Sequence, residues 1–481
     1  MVDRVALAVV GAGPAGIAAA VTAAEAGVET VLVDAQPRPG GQYFKQPPDA
    51  FRREAVSRHS RQADAALAQL SGSSVRVLSG ALVWGAFPAE DGSGWELTLH
   101  GPGVPARLIA RSLILATGAY DRPIPFPGWT LPGVMTAGGV QSFLKTQRLP
   151  PGRRFLLAGT GPLQIAVAAD LVQAGAEVVV VLEATRLRLR DVRHAAALWG
   201  QWSRVAEGWD FGRTLFAARV PLRLGWAVVE ARGNGQVEEA VICRLNDTGQ
   251  PLPGTSKTVA VDTIVIGYGL VPSTELTRLL GCVHEFRPDR GGTVPRRDAE
   301  METSLPGVFA AGDGAGIGGA ELAQIEGRIA AFAVAGRLGK VSETAARHAI
   351  DREQPGWARQ QRFARMLGML FTPGPGLYGL ARDDTVVCRC EEVTLGEIRQ
   401  AVADGATSAN EVKGLTRTGM GNCQGRICGE LVARILAAER TSHAADASTS
   451  GAGAVEAAGV FTARAPIHPL PLDALADTLS D

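Results

Sequence analysis

Apolar runs of four to six residues that end in glycines, each followed by an alanine-containing helical segment, recur three times along the 481-residue chain. The first copy predicts a buried strand over 5–10, a turn over 11–16, a helix from 14 to about 26, and a strand over 30–34 that closes on Asp34. Residues 154–183 repeat the pattern with strand 155–158, turn Gly159-Thr-Gly161-Pro-Leu-Gln164, a helix, strand 178–182 and the acid Glu183. The unit is therefore duplicated within the chain. A third, partial copy has strand 308–311, turn Gly312-Asp313-Gly314 and a helix over 321–331. Further strands are expected at 75–78, 95–99, 113–116, 226–229, 237–243 and 259–266, and helices over 48–70, 186–220 and 343–370. Strands alternating with helices predict an α/β fold.

The glycines of the first copy sit where a dinucleotide needs them. Gly11 turns the chain sharply, Gly13 admits a pyrophosphate to the backbone, and Gly16 lets helix and strand lie close. Pro14 and Ala15 open the helix whose first amides face the phosphates, and its dipole favours their charge. Asp34, followed by Ala35, is placed to accept hydrogen bonds from a ribose. The loop over 37–42, with Gly41 and Gln42, must pass near whatever the turn holds. Ala116, Thr117 and Gly118 end a buried strand in a turn small enough to run under a bound nucleotide. Gly312 and Asp313 offer an acid that can either accept from a polyol chain or simply fix its own turn. The second copy departs from the pattern at Gln164, where glycine or alanine would allow close packing, and this argues against a nicotinamide pocket there.

Composition narrows the class. Lys+Arg and Asp+Glu balance at 48 each, so net charge points to no nucleic acid and no acidic membrane surface. No apolar run reaches bilayer length, and the first strand begins too near Met1 for a signal peptide, so no transmembrane segment and a cytoplasmic location are expected. Trp199, Trp202 and Trp209 lie among arginines in 186–220, expected as a packed helical insert in preference to a partner-binding face. A hinge is expected at 372–376, a flexible segment at 445–458, and over 461–472 a proline-rich stretch that is disordered or docks on a neighbouring surface.

Of six cysteines, Cys388, Cys390, Cys423 and Cys428 crowd together. In a reducing compartment four such thiolates can hold a [2Fe-2S] cluster or a zinc ion. The single-residue gap between Cys388 and Cys390 is unusual for zinc and favours the cluster. Between the pairs, Thr394 and Glu397 form a capping-box pattern that opens a helix to about residue 403.

Residues 1 to about 340 resemble the flavoproteins with two dinucleotide-binding domains, in which the turns named above surround FAD; Asp34 stands where that family commonly has Glu. Residues 385–440, with Cys-Arg-Cys-Glu-Glu and Thr-Arg-Thr-Gly-Met-Gly-Asn-Cys-Gln-Gly-Arg-Ile-Cys, are similar to the bacterioferritin-associated-ferredoxin-like (BFD-like) [2Fe-2S] module. Both in one chain resemble the FAD and iron–sulfur subunit of heteromeric amine dehydrogenases: the A subunit of opine (octopine, nopaline) oxidase, hydrogen cyanide synthase, and D-hydroxyproline and L-proline dehydrogenases.

The resemblance implies two Rossmann-like domains and a small C-terminal module. The divisions are an FAD domain split over 1–122 and 285–340, a degenerate NAD-like domain over 123–284, a helical linker over 341–383, a [2Fe-2S] domain over 384–440 and a tail over 441–481. It further implies a D-amino-acid-oxidase-like flavoprotein partner, in some members a small third subunit, FMN at a subunit interface, an adenine nucleotide in the second domain, and an external electron acceptor that can bring the complex to the inner membrane.

The residues themselves favour a relay. No Cys-x-x-Cys lies near either nucleotide unit, the seven histidines show no metal or triad spacing, and no catalytic acid–base pair is legible. The rival is a stand-alone NAD(P)H-dependent flavin and iron–sulfur reductase.

Overall fold

The computed structural model describes residues 3–51, 58–186, 188–443 and 452–479. The chain divides into two compact units, one of residues 1–119, 272–364 and 462–481, the other of 120–271 and 365–461.

In the first unit the apolar run Asp3–Val10 is the centre of a seven-stranded sheet. It pairs in parallel with Thr30–Asp34 on one side and Arg107–Leu115 on the other, and Val308–Ala310 joins the latter, also in parallel. Arg76–Ser79 extends the parallel run, while Trp95–His100 and Leu82–Pro88 add an antiparallel edge. Helices Pro14–Glu25 and Ala320–Arg337 pack over this sheet around Ile17, Phe309, Ile329 and Val334, all buried. The helix expected over 48–70 is observed as Arg58–Ser71, after a single turn at Asp49–Phe51; residues 52–57 lie outside the described set.

The second unit carries an all-parallel sheet in the order Leu222–Leu224, Glu177–Glu183, Arg154–Gly159, Thr263–Gly267, Val134–Thr136. A three-stranded antiparallel sheet of Trp226–Arg232, Glu239–Arg244 and Lys257–Ala260 accompanies it. The sequence predicts one strand over 259–266, but the structure breaks it between these two sheets. Asp262 is the cause: its carboxylate accepts from the Arg153 and Arg154 amides at 3.1 Å and turns the chain.

The same unit contains the cysteine module, built from the hairpin Val386–Cys388/Val393–Thr394 and helices Leu395–Ala403, Ala409–Thr416 and Gly429–His443. Thr394 and Glu397 form the expected capping box. The expected hinge at 372–376 is tied down instead: Gly376 N–H donates to the Thr248 carbonyl at 2.8 Å, and Gly374 lies against the same carbonyl too closely for a side chain.

The tail also differs from its expectation. Residues 444–451 lie outside the described set, but Ala452–Ala458 is helical, and Phe461 and Ile467 are each buried in cores of this chain. Phe461 packs with the cysteine module, whereas Ile467 donates its N–H to the Trp84 carbonyl at 2.9 Å. Phe461, ahead of the prolines, and Ile467, between two of them, therefore serve the chain's own packing.

Candidate functional site

The parallel register brings three turns together at the carboxyl ends of adjacent strands of the first unit. Gly11, at φ +102°, packs so tightly on the Ala116 carbonyl that no side chain fits, and Gly16 packs in the same way on the Gly11 carbonyl. Gly13 differs, since a Cβ built there meets nothing within 4 Å. That open space, at the N-terminus of helix Pro14–Glu25, is what an approaching pyrophosphate requires. Gly41 closes on the turn from the far side, where a Cβ would lie 2.8 Å from the Gly13 Cα. Gln42 is in the same loop and accepts from the Lys45 ammonium.

Asp34 is buried and accepts from Ala12 N–H at 2.5 Å and from Gln36 N–H at 2.6 Å, with Ala35 between its partners' segments. Burial raises its pKa against these two hydrogen bonds. Thr117 donates its hydroxyl to the Ser273 carbonyl at 2.6 Å, and Gly314 abuts Thr117, so the 116–118 and 312–314 turns are neighbours. Asp313 Oδ1 accepts from Gly318 and Gly319 amides at 2.9 and 3.0 Å, which is the turn-fixing role; Oδ2 carries no hydrogen bond to the described residues. Sequence reasoning missed Glu326. It is fully buried on an alanine-rich helix, paired with Arg297, and accepts from Gly312 N–H at 2.9 Å, so it holds the third turn in place. An acid flanked at helical spacing by Leu322, Ala323, Ile329 and Ala330 is the signal that would have found it.

The second glycine turn is shaped differently. Gln164 is buried and donates its Nε2–H to the Gly267 carbonyl at 3.1 Å, filling the space between turn and strand. Phe371 lies 3.6 Å from the Cβ position of Gly161, the counterpart of the open Gly13. Glu183 accepts from Gly161 and Thr185 amides at 2.8 Å, and burial pushes its pKa up to about 7.

In the cysteine module the four thiols form two pairs. Cys390 and Cys423 are 3.2 Å apart, Cys428 and Cys388 3.7 Å apart, and Gly419 N–H points at Cys388 Sγ from 3.4 Å. Among the described residues no three His, Cys, Asp or Glu side chains converge on one metal position. Two pairs suit two irons better than one zinc ion. Crowding perturbs the thiols: hydrogen bonding from Cys428 lowers the Cys388 pKa to about 6, while burial pushes Cys390 up to about 11. Cationic metal among them would let all four be thiolates.

Around this loop the second unit supplies cations. Glu430, on the first turn after Cys428, accepts from Arg122 at 2.9 Å and from Arg434 at 2.6 Å, and Arg434 covers the Tyr378 ring at 4.7 Å. Phe461 roofs Gly419 and Gly425, where a Cβ would lie 2.4 Å from its ring, and both glycines also stand at positive φ. The sequence gives no local signal for this contact.

Paired glycine-turn domains joined to a four-thiol module define a flavin-dependent oxidoreductase with an iron–sulfur centre. The chain belongs to the pyridine nucleotide-disulphide oxidoreductase family, whose model matches residues 5–337, and residues 386–438 match the BFD-like [2Fe-2S] binding domain. It is 36% identical to the hydrogen cyanide synthase subunit HcnB of Pseudomonas aeruginosa, over 87% of this chain and 90% of that one. With the A subunit of opine oxidase from Agrobacterium tumefaciens the identity is 34% over 98% and 91%. The L-proline dehydrogenase structure from P. horikoshii superposes with a TM-score of 0.69 at 18% identity, covering 99% of this chain and 80% of that one, a likeness of fold. No helix of the described residues is long and apolar enough to cross a membrane.

Proposed function

We propose that this chain is the FAD- and [2Fe-2S]-bearing subunit of a heteromeric dehydrogenase that oxidises the C–N bond of an amino acid or opine. The observation that carries the reading is the two-by-two pairing of Cys388, Cys390, Cys423 and Cys428 in a chain with no dithiol beside its glycine turns. The relatives support it, both being named as subunits of larger enzymes. FAD supplies a two-electron station and the cluster a one-electron station.

The chain's residues hold and orient these groups. Gly11, Gly13, Pro14, Ala15 and Gly16 take the pyrophosphate, Asp34 and Ala35 the ribose, and Gly41 with Gln42 closes the loop above them. Ala116, Thr117 and Gly118 pass beneath, and Gly312 with Asp313 faces the polyol chain. Substrate binds on a second, D-amino-acid-oxidase-like flavoprotein chain, a small third subunit belongs to the fuller assembly, and electrons leave to an external acceptor. FMN at the subunit interface completes this reading, and an adenine nucleotide in the second domain would share the Gly161 turn with Phe371. The working compartment is the cytoplasm, peripheral to the inner membrane where the acceptor lies there.

The alternative, a stand-alone NAD(P)H reductase, is opposed by Gln164 and Phe371, which fill the second turn. Anaerobic mixing separates the two. An amino-acid or opine substrate should bleach the flavin only when the second chain is present; rapid bleaching of the isolated chain by NADH would overturn the proposal.

A further inference from the structure

Trp199, Trp202 and Trp209 are 64–75% exposed, so the packing expected of their segment is not found. The group that most lacks a counterpart lies instead in the interior of the first unit. Arg290 is 7% exposed, and its Nε–H has no hydrogen-bond partner among the described residues. It donates an Nη2–H to the Gly316 carbonyl at 3.4 Å and stands 3.9 Å from Glu326, whose carboxylate Arg297 already holds at 2.5 Å. Asp289, next to it in the chain, is taken by both arms of Arg287 at 3.0 Å. Asp313, the remaining acid that acts on it, spends Oδ1 on the Gly318 and Gly319 amides. Burial and Arg297 lower the pKa of Arg290 against Glu326 and Asp289, yet a guanidinium stays charged at any working pH. A cation buried with so little pairing is costly, and such groups gather where a ligand brings the missing charge.

The third glycine turn leads to this guanidinium. A Cβ at Gly312 would lie 2.9 Å from the Ala15 Cβ, in the pyrophosphate turn, and one at Gly314 would lie 2.6 Å from the Thr117 hydroxyl. At Gly316, whose φ is +128°, it would lie 2.7 Å from Arg290 Nε. Residues 312 to 316 thus run from the pyrophosphate turn to Arg290, with Asp313 between them. FAD has a matching order of adenosine, pyrophosphate, polyol and ring. With Asp34 at the adenosine ribose, polyol and ring extend past the pyrophosphate along this turn, and Arg290 stands at the ring's end of it. Helix Ala320–Arg337 begins there too, and its dipole adds positive potential.

We propose that Arg290 is the counter-charge of the reduced flavin; the proposal rests on the FAD reading above. Two electrons, delivered from the substrate-oxidising chain, and one proton convert the neutral oxidised ring into a reduced ring of single negative charge, spread over N1 and the C2 carbonyl. A fixed cation behind the turn favours that anion over the neutral oxidised ring and over the reduced ring with a second proton. It needs no reorganisation when the electrons arrive. The pyrophosphate is the other anion of FAD, but its charge is the same before and after reduction. It also lies at the opposite end of the turn, where the first amides of helix Pro14–Glu25 serve it.

The test is a potentiometric titration of the flavin in the full chain, loaded with FAD and its cluster, from about pH 5 to 8. In the wild type one proton should accompany two electrons throughout, so the reduced-to-oxidised ratio changes tenfold per pH unit, about 30 mV for this two-electron couple. A hundredfold change per unit below about pH 6, where free reduced flavin is neutral, overturns the proposal without any variant. Arg290→Gln should lower that ratio about tenfold or more at a given potential and bring back the second proton at acid pH, with flavin content kept. Arg290→Lys, which keeps the charge, should stay within about threefold of wild type. A Gln variant that melts earlier at unchanged flavin potential makes Arg290 a prop for the Gly316 carbonyl and overturns the proposal. Weaker FAD binding at unchanged potential assigns the cation to the pyrophosphate and overturns it equally. A wild-type chain that takes up no FAD removes the flavin reading itself, and this inference with it.

Discussion

Arg426 donates its Nε–H to the Tyr120 hydroxyl at 2.7 Å and an Nη1–H to the Cys423 carbonyl at 3.2 Å. A full positive charge is thereby pinned inside the loop between Cys423 and Cys428, with the Tyr120 ring 5.6 Å beneath it. Positive charge close to a cluster stabilises its reduced form. Arg426→Gln should therefore lower the cluster's midpoint potential by about 59 mV, a tenfold change in the reduced-to-oxidised ratio of a one-electron couple. Tyr120→Phe should give a smaller shift of the same sign, because the guanidinium keeps its charge and loses one anchor. A spectroscopic titration of the loaded protein measures both; an unchanged potential in Arg426→Gln would remove the charge from the account.

Gly13 and Gly16 separate binding from folding. A side chain at Gly13 enters open space, and its φ of −78° is ordinary, so Gly13→Val should leave stability nearly unchanged while flavin content falls tenfold or more. Gly16→Ala drives a methyl into the Gly11 carbonyl and should cost roughly 1–3 kcal/mol of stability. Flavin per chain and a melting curve for each variant check the pair. Full flavin occupancy in Gly13→Val would move the pyrophosphate elsewhere.

Glu183 makes a pH prediction. Burial holds its pKa at about 7 in the folded chain against an ordinary 4.5. Between these values the folded chain keeps a proton that the unfolded chain has released, so stability falls as pH rises from about 4.5 to 7 and is flat above. The loss is on the order of a few kcal/mol. Glu183→Gln keeps an oxygen for the Gly161 or Thr185 amide without the ionisation. Its advantage over wild type should be absent near pH 4 and grow to its full size by pH 8, followed by thermal melting across that range.

What the sequence disclosed and what it concealed follow from how local each constraint is. The first glycine turn, its helix and Asp34 are spelled by neighbours in the chain, because one backbone reversal demands all of them. The four cysteines announce themselves by type and crowding. Glu326, Phe371 and Phe461 are different: each acts on a glycine distant in sequence, at 312, 161 and 419 or 425, and spacing carries no trace of such a contact. The tryptophans of 186–220 were legible as a helical face, but which side of the helix its own unit would cover was not. Asp262 ended a strand that apolar pattern alone would have run through.

Phe461 turns the end of the chain into part of the cluster module. Its ring lies over Gly419 and Gly425, both at positive φ in the loop that carries Cys423, and Lys413 sits 5.4 Å from its centroid. Phe461→Ala should open a cavity that costs roughly 3–5 kcal/mol within the module and loosen the loop between Gly419 and Cys428, so iron content should drop while flavin is retained. Ile467→Ala belongs to the core of the other unit and should lower that unit's stability by about 2–5 kcal/mol with iron unaffected. Metal analysis and flavin absorbance of the two variants distinguish these outcomes. Iron retained in full by Phe461→Ala would return the segment after residue 459 to the role of a detachable arm.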